Sequence, residues 1–155
     1  MKEQKTNEKV LSILSALSLL IFTVILPVSA TQEASRITET IHTEYGDITV
    51  ETTLVIHNSY LRSSTKSASK TQSLKYGGVE IGKVTLSATF GYDGKTAWVE
   101  DMDSSHSTSG SWSYGSEKIS TSGGTATLTA KLTNLFDGTI PVNISMTCTP
   151  SGSIS

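Results

Sequence analysis

Residues 47–57 read Asp-Ile-Thr-Val-Glu-Thr-Thr-Leu-Val-Ile-His, and every second side chain falls on one side: Ile48, Val50, Thr52, Leu54 and Ile56. The other side carries Thr49, Glu51, Thr53, Val55 and His57. Successive side chains of a strand point to opposite faces, so this alternation predicts a strand with one core face and one mostly wet face. Working outward, the same period recurs. A short strand is expected over Ile37–Thr43, ending near Tyr45-Gly46. Downstream, Val84, Leu86, Ala88 and Phe90 alternate with Thr85, Ser87 and Thr89. Asp93-Gly94 is a strong hairpin turn, returning the chain through Lys95–Glu100 with Ala97, Trp98 and Val99.

The last block pairs two more strands. Ala126, Leu128, Ala130 and Leu132 alternate with Thr127, Thr129, Lys131 and Thr133. Asp137-Gly138 turns the chain, and Val142, Ile144, Met146 and Cys148 then alternate with Asn143, Ser145 and Thr147 until Pro150-Ser151-Gly152. Two tracts break the pattern. Ser59–Ser73 is polar and weakly patterned, and reads as a long loop or edge region. Glu100–Ser111 is charged and polar, and reads as exposed, with Trp112 and Tyr114 following as an aromatic lid over one end of the core. Seven or eight short strands with one-sided hydrophobicity imply an all-β fold, a two-sheet antiparallel sandwich, Ig-like in shape. A small β-barrel is the alternative.

The amino terminus is different in kind. Lys2, Lys5 and Lys9 outweigh Glu3 and Glu8, Val10–Leu26 carries no charge, and Pro27 then Val28-Ser29-Ala30 close the segment. A charged start, an apolar middle and a small-residue exit are the three parts of an export signal, so residues 1–30 read as a signal peptide cleaved after Ala30. The alternative is an uncleaved anchor through Val10–Val28, although the run is short for a span and Ser12, Ser15 and Ser18 dilute it. The membrane enters this reading through that segment alone. Residues 31–155 then form a single domain, in which 31–65 is set apart as a peripheral strand or loop region. A chain of this length buries enough surface for one core.

From Thr31 onward the chain has nine Lys or Arg and twelve Asp or Glu, and about a third of its residues are Ser or Thr. No basic patch is visible, which argues against nucleic acid as a partner. Ser and Thr here suit the wet faces of a sheet rather than a disordered stalk, because Pro is rare and apolar residues are regularly spaced. Cys148 is the single cysteine, so the fold holds without an internal disulfide, and its register places it on a buried face.

Leu-x-Tyr-Gly-Gly (74–78), Val-Thr-Leu-Ser-Ala-Thr-Phe (84–90), Tyr-Asp-Gly-Lys (92–95), Trp112 and Thr-Cys-Thr-Pro-Ser-Gly (147–152) follow one another in this order. Over residues 60–155 this resembles a loose group of small secreted proteins of Gram-positive bacteria with no assigned activity. The resemblance implies a secreted β protein and carries over no catalytic residue.

The search for chemistry returns little. No Gly-x-Ser-x-Gly elbow occurs, and no serine is distinguished among many. Glu100, Asp101, Asp103 and His106 gather carboxylates and an imidazole that a loop could turn onto a Ca²⁺ ion, but without EF-hand spacing or the paired His of a zinc site. We therefore expect no catalytic residues, no metal and no cofactor. Trp98, Trp112 and Tyr114 are the candidates for a contact surface, because Trp and Tyr dominate binding hot spots, unless both indoles simply cover the core. The expected function is that of a secreted, non-enzymatic β-sandwich binding an extracellular protein, glycan or surface component. The alternatives are a membrane-active protein, pore-forming or bacteriocin-like, and a secreted hydrolase.

Overall fold

The computed structural model describes residues 32–43, 46–57, 64–134 and 138–155. Residues 1–30, read above as an export signal, together with Tyr45, Asn58-Ser59 and Asp137, lie outside the described residues. Eight strands follow in order: β1 (Gln32–Thr43), β2 (Gly46–His57), β3 (Thr65–Tyr76), β4 (Val79–Tyr92), β5 (Ala97–Thr108), β6 (Ser113–Ser122), β7 (Thr125–Asn134) and β8 (Gly138–Thr147). They form a five-stranded antiparallel sheet in the order β1-β2-β3-β4-β5 and a three-stranded one in the order β6-β7-β8. The fold is the expected all-β sandwich of two antiparallel sheets. Each sheet is a meander of consecutive strands, and no helix occurs among the described residues.

The core lies between the sheets and is assembled from the alternations read above. From the five-stranded sheet come Ile48, Val50, Ala68, Leu74, Val84, Leu86, Ala88 and Phe90. From the three-stranded sheet come Ala126, Leu128, Ala130, Leu132, Ile140, Val142, Ile144 and Met146, continued by Cys148. Gly82 occupies an inward position on β4, where a Cβ would stand 2.6 Å from Leu132 Cδ1, so its bare backbone admits the Leu132 side chain. Asp93-Gly94 turns as expected: Gly94 has φ +85°, and Asp93 Oδ1 accepts the amides of Lys95 at 2.8 Å and Thr96 at 2.6 Å. This is an Asx turn closing the β4–β5 hairpin.

Two expectations are corrected. The tract read as a loop, 59–73, contains most of β3, the central strand of the larger sheet. Its inward positions alternate Lys66, Ala68, Lys70, Gln72 and Leu74, and the polar members hid the strand period. Each of those polar side chains has a place. Lys70 Nζ donates to the Ser145 carbonyl at 2.8 Å, Gln72 Nε2 to the Asn143 carbonyl at 3.1 Å, and Lys66 Nζ to the Gly152 carbonyl at 2.7 Å. They lay their stems across the core and bring their polar ends to backbone acceptors at the open edge of β8 and in the carboxy-terminal segment. The second correction concerns the loop expected at 100–111: the tract is exposed as expected, but most of it is β5, an edge strand. The expected aromatic cover is present: Trp112 is buried with the core and Tyr114 packs against it.

The smaller sheet covers the larger one unevenly. Ile48 and Val50 of β2 are buried, whereas Leu54 and Ile56 are only partly so, and Ala34–His42 of β1 are exposed. β1 therefore extends the five-stranded sheet beyond the shelter of β8.

Candidate binding face

The outer face of the five-stranded sheet collects the residues that alternate with the core. Pairing is in register, so outward residues on neighbouring strands stand directly opposite each other. Ser67 faces Thr89, Ser69 faces Ser87 and Thr71 faces Thr85. Their hydroxyls bond across the β3–β4 seam at 3.0, 3.0 and 2.8 Å. On the next strand, Asp101 stands opposite Thr89 and Asp103 opposite Ser87. Ser67, Ser69, Ser87, Thr89, Asp101 and Asp103 line a shallow depression of about 100 Å³.

At one end of this row stands Trp98. The register shift between Thr89 and Phe90 sets Trp98 opposite Gly91 on the outer face. The indole lies across Gly91, where any Cβ would collide with the ring atoms Cε2, Cζ2 and Nε1. Trp98 remains 39% exposed, the one aromatic among the large exposed apolar side chains of the described residues. A glycine inside a strand marks a close approach of another group, and here that group is the indole.

The other end of the same face is ionic. Lys75 Nζ bonds Glu51 Oε1 at 2.8 Å, Lys83 Nζ lies 3.6 Å from Glu80 Oε1, and Ser73 Oγ donates to Glu80 Oε2 at 2.6 Å. The hydrogen bond from Lys75 holds the Glu51 carboxyl below the usual carboxylate range, and partial desolvation opposes it. With Arg36 these residues line a broader depression of about 410 Å³. Glu51 and Glu80 offset two of its three cations, Arg36, Lys75 and Lys83, so it offers only a small positive excess to a ligand.

The three expected contact residues do not converge. Trp112, at 8% exposure, belongs to the core and presents no surface. Tyr114 is half-buried, with its ring stacked on His106 at 3.8 Å between centroids and 15° between planes. Its hydroxyl donates to Glu117, which also accepts from Ser104 Oγ at 2.9 Å. Burial and that carboxylate push the Tyr114 hydroxyl well above the ordinary tyrosine range. The Ser104–Glu117 bond and the His106–Tyr114 stack clasp β5 to β6 where the two sheets meet. Trp98 alone of the three stands on the outer face.

The acidic tract is also rearranged. It is a strand and not a loop, so Asp101 and Asp103 point outward while His106, opposite inward Val84, is on the other face. Among the described residues no three His, Cys, Asp or Glu side chains gather where a metal ion could sit. Cys148 is buried, and desolvation raises its thiol above the ordinary range against the pull of Lys66.

Sequence reasoning found the alternating Ser and Thr but read them only as a wet face. It missed Gly91 and the paired hydroxyls. The signal for them is Thr-x-Ser-x-Thr (85–89) facing Ser-x-Ser-x-Thr (67–71), which becomes legible only once the register is known. No helix among the described residues is long and apolar enough to cross a membrane. No family model, no curated protein and no solved structure matches the chain.

Proposed function

We propose that this chain is an exported, non-enzymatic binding protein whose outer five-stranded face takes a polyhydroxylated ligand, a glycan of the cell surface or its surroundings. The observation that supports this reading most directly is the Trp98 indole lying across Gly91 beside a row of hydroxyls and carboxylates. An aromatic ring offers an apolar platform for the C–H face of a sugar. Asp101 and Asp103 are ionised acceptors for sugar hydroxyls, and such charge-assisted bonds are stronger than neutral ones. Ser and Thr hydroxyls both donate and accept, which suits a ligand that does the same. The depression of about 100 Å³ is far smaller than a pocket that encloses a small molecule, so the ligand is a chain lying along the strands.

Export rests on the amino-terminal segment and on the resemblance to small secreted Gram-positive proteins. The absence of a recognisable nucleophile motif in the sequence favours binding over hydrolysis. The test is co-sedimentation of the purified protein with insoluble peptidoglycan, chitin and cellulose. Retention on at least one of these, lowered about tenfold by Trp98→Ala, is the expected result, an effect of about 1.4 kcal/mol. Retention on none, or retention indifferent to both Trp98→Ala and Asp101→Asn, overturns the reading.

A further inference from the structure

A sandwich of two open sheets has four edges, and an unguarded edge is a template for another strand. Three of the four are guarded here. Along β8, Pro141 has no amide to offer, Gln72 and Lys70 cap the carbonyls of Asn143 and Ser145, and Thr147 exchanges both backbone bonds with Ser155 at 3.0 Å. Along β6, the register shifts between Gly115 and Lys118, and Ser116 adopts φ +55°, so the edge is bulged. β5 is flanked by β6 through the Ser104–Glu117 bond and the His106–Tyr114 stack.

β1 has none of these devices. Its pairing to β2 runs from Gln32 to Thr43 without a register shift, it contains no proline, and among the described residues no strand pairs with its other edge. Ala34–His42 are exposed, Ile37 at 60%. At 3.4 Å per residue, these nine positions present about 30 Å of unpaired antiparallel edge.

We infer that this edge pairs with β1 of a second copy of the chain, about a two-fold axis through Thr38 and perpendicular to the sheet. The sequence of β1 is compatible with itself in that register. Directly opposed residues would be Ala34 and His42, Ser35 and Ile41, Arg36 and Thr40, Ile37 and Glu39, and Thr38 with its own copy. No like charges meet, and Thr against Thr is a favourable cross-strand pair. Moving the axis to Glu39 would oppose two glutamates, and moving it to Arg36 would oppose two arginines. Arg36 and Glu39 lie on opposite faces of the strand, so both charges stay in water when only the edges join. A foreign strand would face no such constraint on register, whereas an isologous pairing must satisfy its own sequence.

The product is a continuous ten-stranded sheet with both outer faces on the same side. The two Trp98 rings are then separated by nine strand spacings of about 4.8 Å across the sheet and are further offset along the strands, because Trp98 lies about eight residues from the level of Thr38. This spacing bears on function only through the glycan reading above, where it makes the dimer bivalent for a long polymer. The pairing itself does not depend on that reading.

The test uses a cysteine at the axis. Opposed Cα atoms in an antiparallel pair lie about 4.5–5.5 Å apart, within disulfide range, so Thr38→Cys in the purified protein should cross-link into dimers under mild oxidation. The native Cys148 is buried and does not compete. Ser120→Cys, on the exposed edge of β6, should cross-link far less. Sedimentation should show a concentration-dependent dimer of the unaltered chain. Thr38→Lys, which sets two ammonium groups opposite each other at an exposed position, should weaken it about fivefold. A chain monomeric from micromolar to millimolar concentration overturns the inference. So does a dimer indifferent to Thr38→Lys, or cross-linking at 120 as efficient as at 38, either of which places the contact elsewhere. Failure of Thr38→Cys to cross-link has the same meaning, with the edge then left to a foreign strand or to residues 1–31.

Discussion

Gly91 and Trp98 show how one missing Cβ shapes a surface. Gly91 does not have a positive φ, so the position is reserved for glycine by the indole above it and not by the backbone. Gly91→Ala should therefore leave the strand intact while lifting the ring off the sheet. The expected readout is a red-shifted Trp98 emission in a Trp112→Phe background, together with lower glycan retention. Unchanged emission would mean that the ring does not rest on Gly91. Asp93 acts at the same scale through hydrogen bonding. The amides of Thr96 and Lys95 stabilise its carboxylate and hold it below the ordinary value of 3.8. A carboxyl depressed in the folded state contributes stability that is present above its unfolded value and lost as pH falls through its folded value. Stability should thus decline in acid below pH 3.8, and Asp93→Asn, which keeps an acceptor but cannot titrate, should flatten that limb in denaturant titrations across pH.

At the scale of the strand, β8 and β3 follow opposite rules. In β8 the alternation is complete, with Ile140, Val142, Ile144 and Met146 inward and Thr139, Pro141, Asn143 and Ser145 outward. Ile144 is 1% exposed, so Ile144→Ala should cost about 2–5 kcal/mol in chemical denaturation. Thr147→Ala removes only an exposed bond to Thr125 and should change stability by about 0.5 kcal/mol or less. Equal costs would show that the register of β8 is wrong. β3 shows why a polar tract can be a central strand. Its inward Lys66, Lys70 and Gln72 lie under the rim of the smaller sheet, where backbone carbonyls need donors. β6 was missed for a related reason: it is exposed along most of its length, so it has little alternation to display.

For the molecule as a whole, the unequal sheets are the governing feature. Three strands cannot shelter five, and the strand left out, β1, is also the first of the described chain. Gln32 opens β1, so cleavage after Ala30 would leave Thr31 alone ahead of the strand. Amino-terminal sequencing of protein recovered from the medium should therefore begin at Thr31. Recovery of the intact chain from membranes alone would favour the anchor through Val10–Val28.

The sequence by itself determined the fold class, the core faces of β2, β4, β7 and β8, and the Asp93-Gly94 hairpin. Alternation and turn chemistry are local properties, expressed within a few residues of chain. Only the tertiary structure decided which strands lie beneath the smaller sheet, and with that the fate of each ambiguous residue. Trp98 and Trp112 are the same side chain fourteen positions apart, yet one lies across a glycine on the outer face and the other is sealed in the core. Asp101, Asp103 and His106 looked like one cluster until the pleat of β5 sent them to opposite faces. The reason is physical: burial depends on which distant strand covers a face, and pairings between strands far apart in sequence leave no periodic mark on either one.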